Sequence, residues 1–248
     1  MVRKFANIRQ LSITAVGHII DIARKAVMDK GFCTIVMAGG STPQLTYELL
    51  GTPANAEKMP WRQSHFFWGD ERCVSSLHQD SNFAMAHKTL LAKVHIPPQN
   101  IHRISTEDTN PDEGAARYEK HLRDFFHTKP PAEIKKIAAD LSAPRFDLVL
   151  LGMGADGHTA SLFPGSSLLE EKKKWVAAVP AGVGSPPLAR ITLTLPVLNQ
   201  AKTTLFLISG SRKREILDTI LTQPEEAEEL YPAARIKPAG NLIWLVAE

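Results

Sequence analysis

Residues 146–165, FDLVLLGMGADGHTASLFPG, contain the side chains with the clearest capacity for chemistry. Asp156 and His158 lie two residues apart, in a glycine-rich turn that follows the apolar run at 146–151. Glycine adopts backbone conformations that are closed to other residues, so this turn can place both side chains beyond the C-terminal end of a strand. Open α/β sheets bind ligands at that edge. A histidine beside a carboxylate is suited to proton transfer there.

Two other interpretations fit the same turn. The spacing G-x-G-x-x-G occurs in dinucleotide-binding sites, but these need a long helix after the third glycine, and Pro164 and Gly165 interrupt this segment. Asp156 would also place a negative charge among the amides meant for a pyrophosphate, so we reject a dinucleotide site. On spacing alone, Asp156 can equally be a turn former and His158 a helix-start residue without a chemical role.

A second candidate site follows the short apolar strand predicted at 34–38. Pro43 suits the first position of a helix, and Ser41 or Thr42 can cap it. Paired glycines and hydroxyls at a helix N-terminus direct free amides into one small volume, which favours phosphate binding. The lysine of a nucleotide-binding P-loop is absent, and an ordinary capped turn explains the segment as well. The candidate phosphate ligands are Gly39, Gly40, Ser41 and Thr42.

A third charged turn follows the aromatic strand predicted at 65–68. It contains Asp70, Glu71 and Arg72, which a solvated turn would also explain. The C-terminal ends of parallel strands meet at one edge of a sheet, so we expect all three turns to converge there.

Strand–turn–helix units recur along the chain and predict an α/β protein. We expect a three-layer α/β/α sandwich with a mostly parallel, Rossmann-like sheet, formed by one domain over 1–248. Ser12 is predicted to cap the first helix and Gly31 to end it. Further helices are expected at 80–91, from Pro111 and after Gly210, and a surface segment at 127–144. Further strands are predicted at 175–179, 190–195, 204–208 and 241–246.

Composition excludes several classes of protein. The chain has 248 residues, 44% of them hydrophobic, and a net charge of +3 with no basic patch, so we expect no nucleic-acid partner. No apolar run is long enough to span a membrane. Cys33 and Cys73 provide neither a disulfide framework nor a thiolate metal site. These features predict a cytoplasmic protein without membrane association.

Four motifs together resemble the 6-phosphogluconolactonase family: GGSTP at 39–43, GDER at 69–72, SNFAMA at 81–86 and GMGADGHTASLFPG at 152–165. The likeness continues through 190–192 and 209–213 and covers most of the chain. That family shares its fold with the glucosamine-6-phosphate isomerase/deaminases. At the position of Arg72 the deaminases typically have an aromatic residue, and at the position of Phe163 they have a glutamate. The resemblance therefore favours a lactonase. The chain departs from the lactonase pattern in one place. The lactonases usually have an acidic residue near the position of Trp244, and here that acid appears only as the terminal Glu248.

The resemblance implies hydrolysis of 6-phospho-D-glucono-1,5-lactone in the oxidative pentose phosphate pathway. His158 would be the general base, and Asp156, Asp70 or Glu71 would orient it. Arg72 would bind the sugar or the developing oxyanion. Arg190 and Lys213 would join the Gly40–Thr42 turn in holding the phosphate.

We expect no metal, because the histidines lack ligand spacing, and no cofactor or covalent nucleophile. The alternatives are a glucosamine-6-phosphate isomerase/deaminase and a non-catalytic sugar-phosphate sensor. The protein is expected to be a monomer or a homodimer.

Overall fold

The structure is a computed structural model that describes residues 1–107, 110–128 and 144–248. Its strands are β1 Val2–Phe5, β2 Cys33–Met37, β3 Ser64–Trp68, β4 Asp70–Arg72, β5 Ile101–His102, β6 Leu148–Leu151, β7 Val176–Val179, β8 Arg190–Leu193, β9 Thr203–Ser209 and β10 Asn241–Ala247. Its α-helices are α1 Ile8–Lys30, α2 Ser41–Leu50, α3 Pro53–Ala56, α4 Asn82–Thr89, α5 Pro111–Thr128, α6 Leu195–Leu198, α7 Ser211–Thr222 and α8 Pro224–Leu230. Short 3₁₀ helices occupy Trp61–Gln63, Leu91–Lys93, Pro98–Asn100, Ser167–Glu170 and Pro232–Arg235.

The predicted parallel sheet is confirmed. Seven strands pair in the order β1-β10-β9-β6-β2-β3-β5, and every neighbouring pair is parallel. The central strands β2, β3 and β6 are buried along their whole length, as expected for strands covered on both faces. Helices flank this sheet in a three-layer α/β/α arrangement.

Besides the two-residue edge strand β5, which pairs with β3, two elements of the sheets were not predicted. The first is β1, which pairs with β10 at the opposite end of the chain, with Val2 opposite Trp244. The second is a separate antiparallel sheet in the order β4-β8-β7, in which Arg72 lies opposite Arg190. The predicted turn at 70–72 is therefore itself a short strand, which aligns two arginine side chains beside the main sheet.

The predicted start of the first helix was wrong. Asn7, rather than Ser12, caps α1, because the Asn7 side chain accepts a hydrogen bond from the backbone N–H of Gln10. Ser12 is buried inside the helix. Gly31 ends the helix at a φ of 84°, as predicted. The longer helix gives α1 an apolar stripe that packs against α2 and the main sheet.

The start of α2 also differs from the prediction. Gly40 is the N-cap residue at a φ of 101°, so Ser41 begins the helix and Pro43 is its third residue. Neither Ser41 nor Thr42 caps the helix, and Thr42 instead shares a hydrogen bond of 2.9 Å with the Ser209 hydroxyl. The first amides of α2 are therefore not bound by a capping side chain.

The helices predicted around 80–91 and from Pro111 are present as α4 and α5. Phe83 is only partly buried, whereas the expected face of α5, Tyr118, Leu122 and Phe125, is buried. Of the surface segment predicted at 127–144, residues 129–143 lie outside the described residues. Most other boundaries agree within two residues; the strand predicted at 190–195 ends at Leu193, and α6 begins at Leu195.

Candidate active site

A pocket of about 210 Å³ lies at the C-terminal edge of the main sheet. The turns after β2, β3 and β6 all contribute to its lining, so the three candidate turns of the sequence do converge. Lys213, in the first turn of α7 after β9, completes the wall. The predicted site residues that line the pocket are Gly39, Gly40, Ser41, Thr42, Asp70, Arg72, His158, Arg190 and Lys213.

His158 and Asp156 form a direct pair at the pocket. Nδ1 of His158 lies 2.5 Å from Oδ1 of Asp156, and the same oxygen accepts the backbone N–H of His158 at 3.1 Å. An imidazole that donates from Nδ1 to a carboxylate has Nε2 available as a proton acceptor. Burial raises the pKa of Asp156, but the hydrogen bonds from His158 outweigh that effect and hold the pKa below its usual range. The carboxylate is therefore ionised and can stabilise an imidazolium.

The segment after His158 folds back on itself. Thr159 and Leu162 form a tight turn in which the Leu162 N–H donates to the Thr159 carbonyl at 2.9 Å. Within the turn Ala160 has a φ of 47°, a left-handed conformation that costs energy outside glycine. Ser161 secures the turn, because its N–H donates to Oγ1 of Thr192 on β8 at 3.1 Å. The strained turn thus connects the histidine to the antiparallel sheet.

Asp70 is buried at the pocket wall with two polar partners. The Ser161 hydroxyl donates to its Oδ2 at 2.6 Å, and Nδ2 of Asn82 donates to its Oδ1 at 3.2 Å. Asp70 is thus held by a serine and an asparagine, whereas the carboxylate that hydrogen-bonds the His158 ring is that of Asp156.

Glu71 is directed into the start of α4. Its carboxylate accepts the backbone N–H groups of Arg72, Asn82 and Phe83 at 2.7–2.8 Å and the Ser81 hydroxyl at 3.0 Å. Burial raises the pKa of Glu71 to about 7, although these backbone hydrogen bonds act in the opposite direction. Glu71 is absent from the pocket lining and instead connects β4 to the helix N-terminus.

Three cationic side chains line the pocket: Arg72, Arg190 and Lys213. Arg72 donates to the Asp80 carbonyl at 2.7 Å and Arg190 to the Pro186 carbonyl at 3.0 Å. Among the described residues none of the three cations forms an ion pair with a carboxylate.

The charged forms of two of these cations, Arg190 and Lys213, are disfavoured by their surroundings. Burial lowers the pKa of Arg190 and the neighbouring positive charge of Arg72 lowers it further, although nearby carboxylates act in the opposite direction. Burial also lowers the pKa of Lys213. A bound anion would relieve both effects, because an opposite charge favours the charged form of each side chain. The first residues of α2, which have no capping side chain, line the same pocket, and the amides of a helix N-terminus favour an anion.

Asn82 and Phe163 contact the site but were not assigned a role in it from the sequence. Asn82 lines the pocket, and a Cβ atom added to Gly39 would overlap its side-chain oxygen at 1.9 Å. The sequence signal that could have identified Asn82 was its position directly after Ser81, the residue that caps α4. Phe163 contacts the His158 ring, and only the fold back through the Thr159–Leu162 turn brings it there.

Within the part of the chain that the structure describes, no group of three or more His, Cys, Asp or Glu side chains could hold a metal ion. In the same ranges no helix is both long and apolar enough to cross a membrane.

The fold and the pocket define an open α/β protein with a cleft lined by three cationic side chains and an imidazole–carboxylate pair at the edge of its sheet. The sequence profile of the family described as glucosamine-6-phosphate isomerases/6-phosphogluconolactonase matches residues 6–244. The chain therefore belongs to the glucosamine-6-phosphate isomerase/6-phosphogluconolactonase family.

Known relatives agree with this membership. A 6-phosphogluconolactonase from Nostoc sp. is 41% identical over 221 residues, which cover 89% of this chain and 84% of the relative. One from Synechocystis sp. is 40% identical and covers 90% and 85% of the two chains. The crystal structure of 6-phosphogluconolactonase from Thermotoga maritima has a TM-score of 0.81 at 30% identity and covers 100% of this chain and 99% of its own.

Proposed function

We propose that this protein hydrolyses 6-phospho-D-glucono-1,5-lactone to 6-phospho-D-gluconate, in the oxidative pentose phosphate pathway. The observation that carries the proposal is the His158–Asp156 pair in a pocket with three cations that form no ion pair with any carboxylate of the described residues. The names of the relatives support the choice of substrate. The reaction needs one phosphate-binding region and one proton acceptor, and residues of the pocket are assigned to both roles below.

The phosphate is assigned to the start of α2 together with Arg190 and Lys213. The backbone amides after Gly40 and the hydroxyls of Ser41 and Thr42 are donors, as a helix N-terminus supplies for anions. Charge-assisted hydrogen bonds from the two cations add strength. Holding the phosphate anchors the molecule away from its reacting carbon, so binding energy is used to orient the lactone carbonyl.

His158 acts as the general base in this mechanism. Nε2 accepts a proton as a water oxygen bonds to C1 of the lactone, and Asp156 stabilises the imidazolium that forms. Arg72 stabilises the negative charge that develops on the carbonyl oxygen. The bond between C1 and the ring oxygen then breaks, and the imidazolium returns its proton to that oxygen, which becomes the C5 hydroxyl. The new carboxylic acid loses its own proton to solvent.

Asp70 is assigned to the sugar hydroxyls, since its carboxylate lines the pocket and is fixed by Ser161 and Asn82. Glu71 is assigned an indirect role, because its hydrogen bonds attach β4, the strand that contains Arg72, to the start of α4. The whole chain, 1–248, is taken as one domain. A cytoplasmic location and a monomeric or homodimeric state remain predictions.

Two substrates offered in parallel test the proposal. Purified protein should accelerate the hydrolysis of freshly made 6-phosphogluconolactone, followed by coupling the product to its NADP-dependent dehydrogenase. It should release no ammonia from glucosamine 6-phosphate. The lactone hydrolyses slowly by itself, so an enzyme-free blank is subtracted at each pH. Ammonia release at a rate comparable with lactone turnover would instead identify an isomerase/deaminase, and binding without turnover of either substrate would identify a sensor.

A further inference from the structure

Phe163 is buried against the proposed base although it lies outside the main cluster of packed apolar side chains. It is 3% exposed, and its ring centroid is 4.6 Å from that of His158, with the two planes at 38°. Its ring also contacts a pocket cation, because Cζ of Arg190 is 5.4 Å from the ring centroid. One aromatic side chain thus contacts both the imidazole and a guanidinium of the site.

The backbone on either side of Phe163 restricts its position. The Thr159–Leu162 turn returns the chain towards His158, and within this turn Ala160 has a left-handed backbone conformation. A strained residue persists only where the surrounding structure determines it, and such residues cluster at functional sites. The hydrogen bond from Ser161 to Thr192 then holds the turn against β8. The ring is therefore placed by fixed elements.

The far edge of the ring is restricted as well. Gly184, in the loop between β7 and β8, has a φ of 76° and lies so close that an added Cβ would be 2.6 Å from Cζ of Phe163. The same Cβ would be 3.1 Å from Nη2 of Arg190. Gly184 thus borders the Cζ edge of the Phe163 ring, while the ring also packs against the imidazole of His158.

The orientation of the imidazole needs a second contact besides its hydrogen bond. Its hydrogen bond to Asp156 fixes which nitrogen carries the proton, but a single bond at Nδ1 still leaves the ring free to tilt about that contact. The His158 side chain is 28% exposed, so solvent borders its other side. We propose that Phe163 is a positioning residue that holds the His158 imidazole at the orientation in which Nε2 faces the pocket. This inference rests on the proposed function of His158.

Replacement of Phe163 by methionine tests the role, because methionine retains most of the apolar volume but lacks a flat, rigid ring. A misplaced catalytic group costs rate even when binding is intact, so kcat should fall by about 10-fold to 100-fold in Phe163→Met. The KM for the lactone and the inhibition constant of 6-phosphogluconate should each stay within about twofold of wild type, because no phosphate ligand is replaced and Arg190 retains its hydrogen bond to the Pro186 carbonyl.

Phe125→Met is the matched control. Phe125 is buried to a similar extent on α5, but its ring packs against Phe67 and His102 and not against His158, so this variant should lose stability without losing kcat. The same Phe163→Met change is also made in a His158→Gln background, with enzyme in excess over lactone. In that background Phe163→Met should lower the rate by less than about twofold, because the effects of two substitutions on the rate are not additive when the two residues act as a unit.

Several results would overturn the inference. These are a kcat of Phe163→Met within about twofold of wild type, a KM and an inhibition constant that change as much as kcat, or an equal fall in rate in both backgrounds. A failure of the proposed function is distinguishable from these results, because the wild-type protein itself would then show no lactone turnover.

Discussion

Gly154 lies so close to His158 that no other residue fits there without moving the imidazole. A Cβ atom added to Gly154 would be 2.1 Å from Nδ1 of His158 and 2.5 Å from Oδ1 of Asp156. Gly154 is not among the glycines with positive φ, so its backbone conformation is open to other residues. The absence of a side chain at Gly154 therefore makes room for the contact between the base and its carboxylate.

Gly154→Ala should impair the reaction more than the fold. The added methyl group displaces the ends of two side chains, which can swing outward at small cost to stability, but the imidazole then leaves its position. We expect kcat to fall by about 10-fold to 100-fold while the melting temperature changes by only a few degrees. Gly17→Ala on α1, where an added Cβ meets nothing within 4 Å, is the control for the substitution itself. A Gly154→Ala enzyme with wild-type kcat would contradict the role of the pair.

His158→Gln should remove proton transfer and retain the phosphate site. General-base assistance contributes about 10²-fold to 10⁴-fold, so kcat should fall by that factor. The affinity for 6-phosphogluconate, measured by calorimetry, should change little, because the start of α2 and its cations carry the binding. A variant with nearly full rate would return His158 to a structural role and make Asp70 the candidate base.

Arg190→Ala and Lys213→Ala should each weaken substrate and product alike. A hydrogen bond to a charged group contributes about 1.5 to 3 kcal/mol, which corresponds to a loss of roughly tenfold or more in kcat/KM. Product affinity should fall in parallel. Lys88→Ala, which removes an exposed lysine of α4, should leave both quantities unchanged. Wild-type product affinity in both pocket variants would disprove the assignment of the phosphate site.

Product binding should weaken at alkaline pH because of Lys213. Burial holds the pKa of its amine below the usual lysine value, so the amine loses its positive charge at a lower pH than an exposed lysine does. The charged amine is the form that binds phosphate, so affinity falls as pH rises through that lowered pKa. Above about pH 7 the phosphate is already a dianion and contributes no further change.

Calorimetric titrations with 6-phosphogluconate from pH 7 to 10 measure this fall. Lys213→Arg keeps its charge over the whole range, so its affinity should decline far less. A decline of equal size in Lys213→Arg would show that another group titrates.

Asp147 should contribute to stability through a buried ion pair remote from the pocket. Its carboxylate lies 2.8 Å from Nζ of Lys30 and 3.0 Å from Nζ of Lys202, and it accepts two hydrogen bonds from Thr34. Removing one partner of a buried pair leaves an uncompensated charge, so Asp147→Asn should lower the free energy of unfolding by about 3 kcal/mol. Denaturant unfolding measures the change, and kcat should be unaffected.

The pH dependence of that contribution has a defined sign. Burial raises the pKa of Asp147, but the charges of Lys30 and Lys202 outweigh it and hold the pKa below its ordinary value. The stabilisation is therefore complete above the unfolded-state pKa and is lost as pH falls through the lower folded-state pKa. The difference in stability between wild type and Asp147→Asn should shrink at acid pH, and a constant difference would contradict the ion-pair account.

Local features of the sequence determined much of the architecture and the chemistry of the candidate site. The apolar runs of β2, β3 and β6 predicted buried parallel strands, because their lack of polar alternation requires cover on both faces. Turn residues after those strands predicted one functional edge. The spacing of Asp156 and His158 permitted a direct pair, but it left Asp70 and Glu71 as alternative partners of the imidazole, and the structure pairs His158 with Asp156. Gly31 ended α1 for a similarly local reason.

Tertiary structure alone decided the features that depend on partners far apart in the chain. β1 is a strand because it pairs with β10, more than 230 residues later, and four residues of mixed polarity do not predict that pairing. Adjacent carboxylates of Asp70 and Glu71 point in different directions because successive side chains of a strand alternate, and only the packing of α4 against β4 decides which of them enters the pocket. Phe163 likewise reaches His158 because Thr192 holds its turn in place and Gly184 borders its ring, and both are distant in sequence.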